Sequence, residues 1–391
     1  MTVKALPKFT VVIPTRERAD VLPAALRTVV AQDYENLEIL VSDNFSEDET
    51  ADVVHAFNDP RIRYINTGRR LSMSHNWEFA LSHVDDGWVT ILGDDDGLIP
   101  GALTKVIELA QDNGASAVRS SVCKYKWPSA NDKGGRLNIP MSTGVEVRRS
   151  EVWLRRALDG KASYAELPML YTGGFANMCV MTTIKDKMGS FYSSCVPDVY
   201  SGVSIVSVIP KYLYSHAPLA IAGVSRHSIG TSHFSRPPSA AEITPAQRFI
   251  SEGNIPFHPD IPVCRDGIIP RSPQITLLES YLQSLPLRSE IPTDFYAKQL
   301  DIVTSAHAKR DEDMEIWLRD FAEMHHLDIK KSLRRGSWYR LMGAFMGAPA
   351  RTLRRWKTAK LRSGNYDISD VYFASITAAA YLRASQADQS C

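Results

Sequence analysis

Residues 88–100 read WVTILGDDDGLIP: a short apolar run of strand-forming residues breaks into three consecutive carboxylates, Asp94, Asp95 and Asp96, and then into Gly-Leu-Ile-Pro. Adjacent carboxylates repel one another, and the end of a buried strand solvates them poorly, so the pattern calls for something cationic. Hard divalent cations such as Mg²⁺ and Mn²⁺ take oxygen ligands, and Mg²⁺ is commonly held by one or two carboxylates together with substrate phosphates. The competing reading is a solvated turn in which an Asp caps a helix starting near Pro100-Gly101. The apolar strand before the triple and Pro100 after it favour a site.

Upstream, two periods alternate. Phe9 to Ile13 is a continuous β-rich run, and Leu22, Ala25, Leu26, Val29 and Val30 then fall at helical spacing. Leu37 to Val41 is a second apolar run, ending in Ser42-Asp43-Asn44. Ser46 with Glu49 three residues later reads as a capping box that opens a helix through Val53, Val54 and Phe57. Arg61 to Asn66 reads as a third strand, and Met73, Trp77, Ala80, Leu81 and Val84 trace one face of a third helix before the strand at 88–92. Continuous apolar strands separated by amphipathic helices predict a mainly parallel sheet covered on both faces. Ligands of such sheets sit outside the carboxyl ends of the strands. The polar groups after strands one, two and four, Pro14-Thr15-Arg16-Glu17, Ser42-Asp43-Asn44 and the Asp triple, are therefore expected to line one crevice. Asn76 lies near that crevice, whereas helical periodicity already accounts for Met73 and Trp77 as core.

Beyond about residue 120 the pattern is mixed, with YTGGFANMCVM (171–181) and FYSSCVPDVYSG (191–202) reading as loops and short strands of a substrate-facing half. Eight prolines between 237 and 273 predict a connector without long helices, and the chain after it reads as helical. The 391 residues suit one large domain with an appendage or two domains. A formal net charge of +1 gives no global argument for nucleic acid. Five scattered cysteines without CxxC spacing suit reduced thiols. No signal-peptide pattern and no run of about 18 apolar residues occurs, so the expectation is a cytoplasmic protein.

VVIPTRER, the strand ending in Ser42-Asp43 with Ser46 and Thr50 beyond, and ILGDDDGLIP together resemble, in order and spacing, the nucleotide-binding half of the family-2 glycosyltransferases, which have the GT-A fold. The resemblance covers roughly residues 8–110 and is carried further by the segment around Asp198. It implies a nucleotide-diphospho-sugar transferase-like α/β sheet with a helical C-terminal extension. On that reading residues 1–235 form the catalytic domain (nucleotide-binding half about 8–120, acceptor half about 121–235), 236–275 the Pro-rich connector and 276–391 the helical region.

By position, the resemblance implies that Pro14, Thr15, Arg16 and Glu17 cradle the base and ribose of a nucleotide-sugar, and that Asp43 accepts from a ring N–H of the base, commonly uracil. Asn44 stands where a second Asp is usual, which removes a charge and keeps an acceptor. Alignment on Pro100 puts Gly93 where the family's first metal-motif Asp often stands. Asp95 is then expected as the main ligand to Mn²⁺ or Mg²⁺, with Asp94 towards the ribose and Asp96 in support. A cation would stabilise the leaving diphosphate. Inverting transfer also needs a general base by the acceptor hydroxyl, and Asp198 matches the family's catalytic aspartate; a helix cap is its alternative role. A later His often clasps the metal or diphosphate in this fold, which points to His227 in GVSRHSIGTSHFS. Gly173 and Gly174, after Thr172, let backbone approach a donor or acceptor sugar, with a plain hairpin turn as the alternative.

Residues 330–362 carry eleven Lys or Arg and no acid, with Trp338, Leu341, Met342, Phe345 and Met346 on one helical face. Such a segment suits peripheral contact with an anionic membrane, where lipid-linked acceptors are found, or docking against the catalytic domain or a partner. Nucleic acid is disfavoured for want of a stacking platform. The expected function is metal-dependent inverting transfer of a sugar from a nucleotide-sugar donor, UDP-sugar first, to a glycan or lipid-linked glycan, as in bacterial surface polysaccharide synthesis. A nucleotidyltransferase would need a Gly-rich phosphate loop that VVIPTRERAD lacks; a silent glycan-binding protein on the same fold is the rival from another class.

Overall fold

The structure is a computed structural model that describes residues 6–128, 135–227, 252–264, 267–288, 290–307, 311–336, 358–362 and 368–390. Strand and helix alternate through its first part: β1 (Phe9–Thr15), α1 (Leu22–Val30), β2 (Leu37–Asp43), α2 (Thr50–His55), β3 (Ile62–Asn66), α3 (Met73–Leu81), β4 (Trp88–Ile91), then β5 (Gly97–Leu98) and α4 (Ala102–Asn113). Strands β4, β1, β2 and β3 lie side by side and parallel. The register pairs Thr15 with Asp43 and Asp43 with Asn66, so the strands' carboxyl ends are level. The expected capping box does not form. Helix α2 starts at Thr50, and Ser46 instead donates to Asp43 Oδ1 at 2.6 Å and accepts from the Glu17 N–H at 2.9 Å, tying two strand-end loops together.

The second half makes the sheet mixed. Its elements are β6 (Ala117–Lys126), β7 (Arg136–Pro140), β8 (Val145–Arg149), α5 (Ser150–Leu158), β9 (Gly174–Asn177), α6 (Met178–Met188), α7 (Pro197–Val208) and β10 (Lys211–Val224). With a last strand, β11 (Thr358–Arg362), the order is β11-β7-β6-β9-β4-β1-β2-β3, with β10 pairing β5, β6 and β8. Antiparallel β9 sits between β4 and β6, and β10 runs parallel to β6 with a register shift between Ser215 and Ala220.

The chain after the connector divides between the two faces of the sheet. Helices α8 (Pro273–Gln283), α9 (Phe295–Ala306) and α10 (Glu312–Met324) join α3, α5, α6 and α7 in one core through Ile275, Leu278, Leu300, Trp317 and Phe321. Helices α1 and α4 fill the opposite face. There α11 (Val371–Ser390) packs Val371, Ala374 and Ala378 beside Val21, Ala24 and Ile221. The C-terminal region also contributes a strand, β11 (Thr358–Arg362), antiparallel to β7 with Leu361 buried. It is therefore not purely helical, because β11 joins the sheet beside β7. Of the basic stretch 330–362, residues 337–357 lie outside the described residues. No helix among the described residues is long and apolar enough to cross a membrane.

Candidate active site

The loops after β1, β2 and β3 interlock at the crevice. Asp43 is buried, and its carboxylate accepts four hydrogen bonds, from the Ser46 N–H and hydroxyl at 3.0 and 2.6 Å, Tyr64 Oη at 2.5 Å and Asn66 Nδ2 at 3.2 Å. A contact from this carboxylate to a nucleobase would have to replace one of these donors. Asn44 pairs with the backbone of Leu71 in both directions, donating to its carbonyl and accepting from its N–H, each at 2.8 Å. An Asp could not donate, so the amide in place of the family's second acid has a structural cause. Glu17, at φ 54°, accepts from Arg70 at 2.9 Å and from the Glu47 N–H at 3.1 Å. Arg16 is paired with Glu252 of the connector at 2.6 Å. Pro14 and Thr15 close β1 beside Ser42 and Asp43.

The Asp triple divides. Asp95 Oδ2 accepts from the Ser225 N–H at 3.2 Å and hydroxyl at 2.7 Å, at the end of β10. Asp96 Oδ1 accepts from the Gly223 N–H at 2.6 Å and its Oδ2 from Thr172. Burial first and Asp95 second raise the Asp96 carboxyl above the usual carboxylate range. Asp94 instead faces Arg18, 3.7 Å from its Nε. Burial pushes the Asp94 carboxyl up to about 7, against the pull of Arg18 and with the push of Asp95. Gly93 has no room for the side chain expected there, since a Cβ would stand 2.6 Å from Asp96 Oδ2 and 2.7 Å from Tyr171 Oη. His227 lies close by: its carbonyl accepts from Arg18 at 2.8 Å and its Nε2 is 2.9 Å from Asp20 Oδ2. Among the described residues no group of three or more His, Cys, Asp or Glu side chains is arranged to hold a metal ion by itself.

Asp198 stands in the first turn of α7, after Pro197. Burial raises its carboxyl, opposed by the backbone N–H groups of Val199 and Asp198 and by Arg119. Tyr171 connects the two halves of the site. Its phenol is raised well above 10 by burial and by Asp96, Asp95, Asp198 and Asp94 together, and its ring stacks on Trp77 at 5.4 Å. Arg119 of β6 holds the loop that carries Tyr171, donating to the carbonyls of Ala165, Tyr171 and Thr172 at 2.8, 3.1 and 2.9 Å. Gly173 and Gly174 serve this loop by close packing. A Cβ on Gly174 would lie 1.6 Å from the Met169 carbonyl oxygen, and Gly173 has φ +85° against Val122. Asn76 is occupied by Ser42 at 2.8 Å. Tyr171, Arg119, Ser225 and Arg18 went unread in the sequence; the one signal was Arg119, a charge inside an otherwise strand-like run.

Residues 10–163 match the family model described as glycosyl transferase family 2. This part of the chain is a family-2 glycosyltransferase domain. The family-2 domain is 35% identical over 113 residues to GalNAc(5)-diNAcBac-PP-undecaprenol beta-1,3-glucosyltransferase of Campylobacter jejuni, which is 28% of this chain and 37% of that one. It is 30% identical over 110 residues to the succinoglycan biosynthesis protein ExoO of Rhizobium meliloti, 28% of this chain and 32% of that one. The match thus spans about a third of the length of these curated relatives. Among solved structures, the chain is similar to S. aureus TarS 1–349 in complex with UDP-GlcNAc (13% identity, TM-score 0.46, 85% of this chain and 92% of that one). It is also similar to the mannosyltransferase PcManGT from Pyrobaculum calidifontis in complex with GDP-Man and Mn²⁺ (17% identity, TM-score 0.42, 98% and 87%). The matched stretch carries the parallel strands β1–β4 and the loops that meet at the crevice.

Proposed function

We propose that the protein is a metal-dependent, inverting glycosyltransferase that moves a sugar from a nucleoside-diphosphate sugar to a lipid-linked glycan during bacterial surface polysaccharide synthesis. The observation that carries this reading is geometric: the carboxyl ends of β1, β2 and β3 are level, with the Asp triple following the neighbouring strand β4. Asp94, Asp95, Asp96 and Asp198 all lie near enough to Tyr171 to raise its phenol, which supports reading donor-side and acceptor-side acids as one site.

The loops at 14–17, 43–46 and 64–71 form the wall for base and ribose. The residue fitted to hold Mn²⁺ or Mg²⁺ with the donor's diphosphate is Asp94 rather than Asp95, because Asp95 and Asp96 are drawn onto β10 while Asp94 faces the crevice side where Arg18 and His227 gather. Bound there, the cation would offset the charge that develops on the leaving diphosphate. Arg18 adds a fixed positive charge at the same place. Asp198, held at a helix N-terminus, accepts the acceptor hydroxyl's proton as that oxygen attacks the sugar. The Campylobacter relative's name specifies an undecaprenyl-diphosphate glycan, and an acceptor of that class would bring the basic stretch 330–362 to an anionic bilayer. The test is a donor screen by nucleotide release with UDP-, GDP- and dTDP-sugars, with and without Mn²⁺. Metal-dependent release of one nucleotide is expected; no release from any donor in the presence of a polyprenyl-diphosphate glycan would refute the reading.

A further inference from the structure

Glu279 lies on α8, outside the family-2 domain, and is fully buried. None of the chemistry above uses it. Its Oε2 accepts from Ser194 Oγ at 2.5 Å and its Oε1 from Gln283 Nε2 at 2.9 Å. Ser194 is itself fully buried. The same serine hydroxyl accepts from the Val196 N–H at 3.2 Å, and the Ser194 carbonyl accepts from Ser74 of α3 at 2.7 Å. Val196 is the N-cap position of α7 and supplies no side-chain cap, so Ser194 is what fixes the turn leading into Pro197 and Asp198. A second acid, the half-buried Glu78 of α3, takes the Tyr192 N–H at 2.9 Å. The loop from Ser190 to Val196 is therefore gripped between α3 and α8. Packing alone gives no reason for a charge on α8: burying a carboxylate is costly, and a Gln of the same shape would also accept from Ser194.

We propose that Glu279 is a positioning residue for Asp198: through Ser194 it sets the α6–α7 loop, and with it the direction in which the first turn of α7 presents the Asp198 carboxylate. This rests on the reading of Asp198 as the general base. Ionised, the Glu279 side chain can only accept, which holds the Ser194 hydroxyl hydrogen in one direction and leaves a lone pair of Oγ aimed at Val196; the variants are therefore compared at pH 8, above its raised value of about 7. The amide of Gln can accept or donate at that point, so the loop loses its single setting.

The experiment compares Glu279→Gln, Ser194→Ala, the double variant and Glu279→Gln in an Asp198→Asn background. In Glu279→Gln, kcat should fall on the order of 10- to 100-fold, the scale of a misplaced reacting group, while UDP affinity and donor KM stay within about twofold and the melting temperature does not fall. Ser194→Ala should match it, and the double variant should lose no more than either single one. Added to Asp198→Asn, the change should have no effect. Hydrogen exchange should quicken in peptides covering 190–200 and stay as in the wild type across 8–110. Wild-type kcat, or unchanged exchange at 190–200, would overturn the proposal, as would equal losses of nucleotide affinity and kcat. If Asp198→Asn keeps full turnover, the reading of Asp198 fails instead, and the exchange data still judge the grip of Glu279 on the loop. Should Glu279→Gln not fold, Ser194→Ala, which retains the acid, carries the same comparison.

Discussion

Replacing Glu279 by Gln should make the protein more stable at pH 8 than at pH 5 relative to wild type, and the size follows from burial. The carboxyl ionises near 4.5 when exposed, and its burial in α8 pushes it up to about 7. Between these values the folded chain keeps a proton that the unfolded chain has released. Stability from this group is thus fully present below about pH 4.5 and is lost as pH rises through about 7. The whole interval corresponds to about 3 kcal/mol, most of which falls between pH 5 and pH 8. Gln does not titrate. The gap in unfolding free energy between variant and wild type should therefore move by roughly 2–3 kcal/mol in the variant's favour across that range. Urea unfolding followed by tryptophan fluorescence at the two pH values measures it, and the raised carboxyls of Asp94 and Asp96, common to both proteins, cancel in the comparison. An equal gap at pH 5 and pH 8 would show that the buried carboxylate carries no such cost.

Asp94→Ala should abolish Mn²⁺-dependent UDP binding in calorimetry without lowering the melting temperature, whereas UDP binding as in the wild type would remove Asp94 from the metal site. Asp96→Ala strips the Gly223 N–H and the Thr172 hydroxyl of their acceptor, so a loss of about 1–3 kcal/mol in denaturant unfolding is expected. Gly174→Ala places a methyl group on the Met169 carbonyl and should cost more than about 3 kcal/mol or prevent folding; a thermal melt close to wild type would mean that the 169–174 loop can shift.

The parallel half of the fold is legible because β1, β2 and β4 are largely apolar runs and begin where those runs begin, separated by amphipathic helices; the edge strand β3, IRYIN, is half-buried and carries Arg63. The antiparallel half is not legible in this way. Strand β9 is four residues, GFAN, and exists because β4 and β6 offer it edges on both sides. Strand β10 bends at a register shift near Pro218, which hides its 14-residue length behind a residue that usually ends strands. Strand β11, TAKLR, reads as part of a basic tail, and only the pairing of Lys360 and Leu361 with β7 makes it a strand. The capping box at Ser46 failed for a related reason: a long-range partner, the Glu17 N–H, outcompeted the local one.

The acids at 94–96 show the same limit in the site itself. Three adjacent carboxylates pose a charge problem that the sequence can answer only with a cation. In the fold, two of them are answered by the protein's own donors: Ser225 for Asp95, and Gly223 with Thr172 for Asp96. Those donors come from β10 and the β9 loop, far along the chain, so the division could not be read locally. Gly223 has no side chain for a physical reason, since a Cβ there would stand 1.8 Å from the Asp95 carbonyl oxygen. The chain can bring β10 that close only with glycine, and that approach makes Asp95 and Asp96 the clamp between the two halves of the sheet. The cost of holding Asp96 there shows in its raised carboxyl, which protonation relieves. Asp94 is left facing Arg18 across 3.7 Å. Arg18 at that distance, with Thr15 and the Asp94 N–H, offsets only part of the burial cost, and the carboxyl accordingly sits near 7. On the proposed reading a divalent cation arriving with a diphosphate would restore its ionised form, since Asp94 is the acid of the triple that neither β10 nor the β9 loop engages.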